Sequence, residues 1–518
     1  MTSKLNGVQL DQMEDFKRVS YFRMEPEGKA NRLTLDQLDG SLCTHLILAS
    51  VRINCHGELK VARESDYKYL NSVRLIKMKY PHLKVMISIA NDEDMNGFSR
   101  LTLAQQQHNY YHHYHESSNS TGSEKEVNQR EQMTNLAPNE LRLKFAKAAM
   151  EFMQHFHLDG LDLNWQFPNF PSLTILNLRE HERLGFTKIL TSLRSAIVEN
   201  FYARQLAAQQ LGLAQHHQLG MQRVASYSST NLNRTEQQQE SLGVASRQCS
   251  PLATDVEPYL LSITIGGQES ILRSSNELKQ LINLCDWFNV MSYDYFLFKT
   301  YAPFTGPIAP LQPIVEPFVP IFNKLSFSWT VSRLVNEEML PKDKIVMGIP
   351  TYARAYRLVF RQNQPSPFSL ALGLLKSNQL ETSPNRTNRQ DKEEEQDFLD
   401  YGKVLRLIER ADSVVEYDER AKVPYLLTDA GCTWVSFEDE RSVRAKVEYI
   451  LRNELAGYMT WNLNSDSYPT PTTVQAQDQD KERSSTDKKT NSKTEVWFPL
   501  HRAMLEAFRE FCSSRNSC

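Results

Sequence analysis

A (β/α)₈ TIM barrel carrying a small α+β insertion is the fold the sequence predicts, on three observations. Eight short apolar, β-rich runs alternate with helical patterns along the chain. The gap between the seventh and eighth runs, roughly 354–436, is too long for a single connection. Finally, 518 residues with 40% hydrophobic content suffice for one large domain and an inserted smaller one.

The strand candidates are 19–24, 43–50, 83–90, 157–166, 259–265, 287–294, 344–350 and 457–464. Each is rich in Val, Ile, Leu and aromatic residues, as strands covered on both faces should be. Helices are expected at 65–80, 139–156, 179–202, 275–284, 326–340, 441–453 and 500–511. The first places Leu70, Val73 and Ile76 on one face and ends before Pro81. Within the gap, β-type runs at 357–360, 413–417 and 423–427 and a helical pattern at 400–410 predict a compact α+β unit. The expected organisation is therefore a first barrel part over 17–353, an insertion domain over 354–436, and a last barrel part over 437–512.

Three polar inserts interrupt this scheme, at about 105–132, 203–247 and 473–494. Each holds too little apolar content to support a core, so loops are expected. The first follows strand three and the third follows strand eight, which places both at the C-terminal face, where barrels bind ligands. The second follows a helix and should hang from the opposite face.

Composition excludes several functions. Fifty-nine basic and 62 acidic residues nearly balance, giving no basic surface for nucleic acid or anionic lipid. No stretch approaches the run of about 18 apolar residues that a membrane span needs. The N-terminus lacks the apolar core of a secretory signal peptide, which read literally predicts a cytosolic chain. Seven cysteines are few, odd in number and without metal spacing; a bridge involving Cys512 and Cys518 stays open. Sequons at Asn119, Asn233 and Asn385 point weakly toward a secreted glycoprotein. The His-rich run 109–115 has nothing nearby to fix a coordination geometry, so no metal or other cofactor is expected.

The chemistry concentrates in residues 157–168, His-Leu-Asp-Gly-Leu-Asp-Leu-Asn-Trp-Gln-Phe-Pro. Strand geometry puts Asp162, Asn164 and Gln166 on one face and Leu161, Leu163 and Trp165 on the other. A ladder of acids ending at a barrel strand's C-terminal tip is how a glycosidase builds its acid catalyst. Here two rungs are amides. Gln166 has no titratable proton to give, while Asp162 is expected to anchor the ladder by hydrogen bonds inside the barrel.

With these residues on view, the chain resembles glycoside hydrolase family 18, the chitinases and chitinase-like proteins. The family's Asp-Gly-x-Asp-x-Asp-Trp-Glu signature matches Asp159 to Gln166 except at its two reactive positions, now Asn164 and Gln166. Similar motifs occur at Cys43-Thr44-His45, Ser88-Ile89-Ala90-Asn91, Met291-Ser292-Tyr293-Asp294, Gly348 to Arg354, Trp434 to Asp439, and Gly457 to Trp461. The resemblance implies a substrate-assisted mechanism in active members, with the terminal Glu as acid and the preceding Asp orienting the acetamide. It implies sugar contacts from Tyr293 and Asp294, an aromatic floor from Trp461, and further lining from Trp165, Met291 and Arg354. It also implies chitin or chitooligosaccharide-type glycans as ligands, a possible cell-surface receptor, and an extracellular location that this N-terminus does not explain. Ser20 stands where the family often has a cysteine paired with the counterpart of Cys43, so that bridge is not expected here. The expectation is a non-hydrolytic, lectin- or growth-factor-like protein, similar to the imaginal-disc growth-factor group of insects. Two alternatives stay open: residual glycosidase activity using Asp294 as acid, and a protein-interaction scaffold with a closed groove.

Overall fold

The computed structural model describes every residue outside 1–14, 28–31, 55, 91–95, 103–137, 170–179, 231–255, 315–319, 376–397, 467–496 and 517–518, with backbone only at 96, 211–230, 320–321 and 516. Eight parallel strands close on themselves: Lys17–Arg23, His45–Ile53, Lys84–Ala90, Gly160–Asn164, Leu260–Gly266, Trp287–Met291, Ile345–Pro350 and Gly457–Trp461. The last pairs with the first, in register Lys17 with Gly457, and the first pairs with the second, so the sheet has no gap. Closure removes the exposed edges that an open sheet would leave.

Strand alternation sorts side chains into two apolar bodies. The inward set includes Val19, Tyr21, Ile47, Met86, Trp287, Val346 and Met459, and it fills the barrel interior. The outward set, including Leu46, Leu48, Val85, Ile87, Leu161 and Leu163, packs beneath the helices. Helices Pro138–His155, Phe327–Asn336, Glu440–Arg452 and Pro499–Asn516 supply the covering layer. Ser326 and Asp439 cap two of them, accepting from the Trp329 and Ser442 backbone N–H.

Between the seventh and eighth barrel strands, a second sheet forms from Tyr352–Leu358, Ala371–Leu374, Val414–Asp418, Val423–Thr428 and Thr433–Ser436, with helix Tyr401–Ile408 beside it. Its strands pair antiparallel. Tyr352–Leu358 follows directly on barrel strand Ile345–Pro350, so this unit rises from the C-terminal face.

Three expectations need correction. The helix expected over 275–284 is a single turn, Leu278–Leu281. The pattern over 65–80 forms two helices, Tyr67–Asn71 and Val73–Lys79, broken at Ser72. More substantially, the insert at 203–247 is not loop throughout. One helix runs Glu180–Thr230, 51 residues, about 77 Å at the standard rise. Gln, Ala and Leu are good helix formers, and propensity propagates an existing helix without needing a core to cover it. Arg204, which donates to the Glu257 carbonyl just before the fifth strand, marks where this helix passes the N-terminal face. The inserts at 105–132 and 473–494 lie outside the described residues.

Cys43, Cys285, Cys432 and Cys512 are free thiols. Burial pushes Cys43 up to about 12, with Ser20 as its hydrogen-bonding neighbour. Ser20 instead joins a polar chain: Thr460 donates to it at 3.2 Å and lies 2.9 Å from His501 Nε2, whose Nδ1 is 2.8 Å from Asp466.

At the base of the insertion, Lys446 Nζ donates to Glu438 Oε2 at 2.7 Å, and both side chains are fully buried. Burial raises Glu438 from 4.5 to about 7 despite the adjacent ammonium. The folded carboxyl thus holds its proton more tightly than the unfolded one, so its contribution to stability falls as pH rises from 4.5 to about 7. In denaturant titrations across that window, Glu438→Gln should flatten this decline. Lys446→Met, which strands a buried carboxylate, should cost about 3–5 kcal/mol above it.

Candidate functional site

The site lies at the C-terminal tips of the barrel strands, and it is organised around one carboxylate. Asp162 is fully buried on the fourth strand. Parallel register sets Ser88 of the third strand and Ser262 of the fifth level with it. Both hydroxyls donate to it, at 3.0 and 2.8 Å. Tyr21 donates from the first strand at 2.6 Å, Asn289 from the sixth at 3.1 Å, and Thr264 approaches to 3.2 Å. Burial pushes the Asp162 carboxyl up, and the hydrogen bonds from Tyr21, Ser262, Ser88 and Asn289 oppose that push. Burial and the neighbouring carboxylate hold the Tyr21 phenol well above its ordinary value.

Above this anchor stand the two amides. Asn164 is buried at the strand's end and Gln166 is exposed just beyond it. Gln166 Nε2 donates to Asn164 Oδ1 at 3.0 Å, so the two side chains meet as the alternation predicts. Trp461, half-buried on the eighth strand, leans on Tyr21 with ring centroids 5.2 Å apart. Tyr293 is 7% exposed and stands edge-on to Tyr352 at 6.1 Å. Its position requires Gly348 beneath it, where an added Cβ would come within 2.7 Å of the ring. Met291 is half-buried at the end of the sixth strand.

Asp294 and Arg354 form a forked pair: Nε and Nη2 donate to the two carboxylate oxygens at 3.0 and 2.7 Å. Asp294 has φ of 55°, the left-handed region rare for non-glycine residues, and Gln268 holds its carbonyl from the other side at 3.0 Å. The Arg354 guanidinium also lies 5.2 Å from the Tyr352 ring.

One sequence-derived residue is misplaced. Trp165, expected to line the groove, is 2% exposed and points outward. It stacks on Phe98 at 5.1 Å and meets Phe186 at 5.6 Å, between barrel and helices. Its odd position relative to Asn164 dictates that face. Conversely, Tyr21, Tyr352 and the hydroxyl ring around Asp162 were not singled out from sequence. For Tyr21, two residues beyond the inward Val19, strand parity was the available signal. Among the described residues no cluster of three or more His, Cys, Asp or Glu could hold a metal, and no helix is long and apolar enough to cross a membrane.

Residues 17–214 and 232–466 match the glycosyl hydrolases family 18. The chain belongs to that family. It is 21% identical over 459 residues to human Chitinase-3-like protein 2, covering 88% of this chain and 87% of that one. Mouse oviduct-specific glycoprotein is 22% identical over 453 residues, although these span only 47% of its length. Among solved structures, human YKL-39, described as a pseudo-chitinase with retained chitooligosaccharide binding, superposes with a TM-score of 0.63 at 18% identity, over 95% of this chain and all of that one. The Group IV chitinase of Ostrinia furnacalis matches almost equally, with a TM-score of 0.62 at 18% identity over 95% of this chain. Inactive and active architectures are thus equally close, and the shared feature is the family 18 barrel.

Removing one donor from a buried carboxylate tests the anchor. Tyr21→Phe should lower stability by about 1–3 kcal/mol, measured by chemical unfolding near neutral pH. A change within error would show that the Asp162 cluster does not depend on the phenol.

Proposed function

We propose that this family 18 chain is a non-hydrolytic, chitinase-like protein that binds β-1,4-linked N-acetylglucosamine oligomers, chitin included, in a lectin- or growth-factor-like role. The observation that carries the reading is the amide pair at the fourth strand's tip, Gln166 donating to Asn164. A carboxamide cannot protonate a leaving oxygen near neutral pH. Asn164 offers hydrogen bonds to an acetamide but no negative field for a cationic intermediate. Both changes remove functions needed in the transition state while keeping size and polarity, so ground-state binding is retained.

The rest of the groove supports this. Trp461 offers a partly open aromatic face for the apolar side of a pyranose, while Tyr293, Asp294, Met291 and Arg354 form its wall. The description of human YKL-39 as a pseudo-chitinase that keeps chitooligosaccharide binding is consistent with such a division. The location we propose is extracellular, where such glycans occur, with a cell-surface receptor as a further partner.

A second reading, residual glycosidase activity with Asp294 as acid, is disfavoured by the Arg354 fork, which occupies both carboxylate oxygens. A scaffold without glycan binding is the third. Calorimetry with chitotetraose should give saturable binding that weakens about tenfold or more in Trp461→Ala. A fluorogenic chitobioside should show no turnover by the natural chain, whereas Asn164→Asp/Gln166→Glu should raise hydrolysis by roughly 10²-fold or more. Absence of binding heat would favour the scaffold. Turnover by the natural chain equal to that of the double variant would overturn the non-hydrolytic reading.

A further inference from the structure

Part of the insertion sheet is left without cover. Ala355, Leu426 and Val435 share a buried core with Val404 and Leu407 of helix Tyr401–Ile408. Phe304, Leu370 and Leu372 lie outside that core and are exposed. Backbone pairing brings them together. Phe304 bridges Leu370 in antiparallel fashion, and the Ala371 N–H donates to the Pro303 carbonyl at 2.8 Å. On the other side the Val359 N–H donates to the Leu370 carbonyl at 3.0 Å, which brings Phe360 to the same corner. Tyr301 stands on the tight turn closed by the Ala302 N–H on the Lys299 carbonyl. Tyr301, Phe360 and Leu372 are 77%, 70% and 65% exposed. An added Cβ at Gly373 would meet nothing within 4 Å, so the space beside Leu372 is open. Single apolar side chains are ordinary on a surface, whereas five large ones gathered in one corner mark a docking site.

The corner lies at the far end of the insertion. Strand Tyr352–Leu358 carries Arg354 of the groove wall, and Leu358 is about 13 Å further on at the usual strand rise. Phe360 follows just past that end. The charge around it has one sign. Segments 295–312 and 355–375 hold Lys299, Arg357 and Arg361 and no Asp or Glu. Arg357 is 3.4 Å from Asp429, which Arg410 also shares. Lys299 and Arg361 are exposed and have no ion-pair partner among the described residues. The near-neutral balance of the whole chain hides this local cationic rim.

A tip that shows rings and aliphatic side chains inside a rim of cations suits the interface of a lipid bilayer. Aromatic and Leu side chains sink among the headgroups, while Lys and Arg bury their stems and leave their charge beside anionic phosphates. A neutral sugar chain would gain nothing from Lys299 and Arg361. A twofold pairing of copies would set the cationic rim against itself. We propose that the distal end of the insertion docks this protein, without spanning, on a bilayer that carries anionic phospholipids. The proposal is independent of the glycan-binding reading, since none of these residues lines the groove.

Cosedimentation of the full chain with large vesicles, three parts phosphatidylcholine to one part phosphatidylserine, makes the test. Binding should be clear at low salt and fall about tenfold or more with phosphatidylcholine alone or at high salt. Phe360→Ser/Leu372→Ser should lower partitioning into the mixed vesicles by about tenfold or more. Lys299→Gln/Arg361→Gln should bring mixed-vesicle binding down by roughly tenfold, to the level of phosphatidylcholine alone. Circular dichroism and thermal unfolding should be unchanged in both variants, because all four side chains are exposed. No binding to mixed vesicles at low salt, or equal binding by the natural chain and both variants, would overturn the proposal. So would a dimer in sedimentation, or adsorption to insoluble chitin, that Phe360→Ser/Leu372→Ser abolishes while vesicle binding is absent. The corner would then belong to a second copy or to the polymer.

Discussion

The structure depends on a single carboxylate placed inside the barrel. Asp162 has no solvent contact, and burying a charge of that kind is strongly unfavourable unless hydrogen bonds replace its water. Five side chains from four other strands make that replacement, and none is local in sequence. Each can reach Asp162 only when the strands are paired in the observed register. The anchor therefore couples closure of the barrel to the shape of its mouth: Tyr21 holds Asp162 with its hydroxyl and supports Trp461 with its ring.

A second coupling ties the far wall to the insertion. Arg354 belongs to the strand that opens the second sheet, and its fork fixes Asp294 in a backbone conformation that few non-glycine residues adopt. Gly348 and Tyr293 are the packing counterpart, since the ring occupies space that any larger residue would fill. These contacts make the groove a product of both sheets, so the insertion does more than decorate the barrel.

Much of this was legible in the sequence because periodicity encodes it. All eight barrel strands fall within a few residues of their expected bounds, since doubly covered strands read as apolar runs. Asn164 and Gln166 were found facing one another because alternation alone requires it. Trp165 shows the complementary case: the family resemblance implies a groove residue, but strand parity sends it outward between Phe98 and Phe186. The helix continuing to Thr230 is hidden because low apolar content signals a loop, although Gln- and Ala-rich sequence propagates a helix well.

The contact between Gln166 and Asn164 bears on how the chain has evolved. Once two neighbouring rungs are amides joined by a hydrogen bond, placing an acid at either position alone recreates half of a machine and disturbs that contact. A lone glutamate would lack the partner that steadies the cation, and a lone aspartate would have no proton donor beside it. On the proposed non-hydrolytic reading the tip is a ratchet: regaining cleavage needs two coordinated changes, whereas refining recognition needs neither.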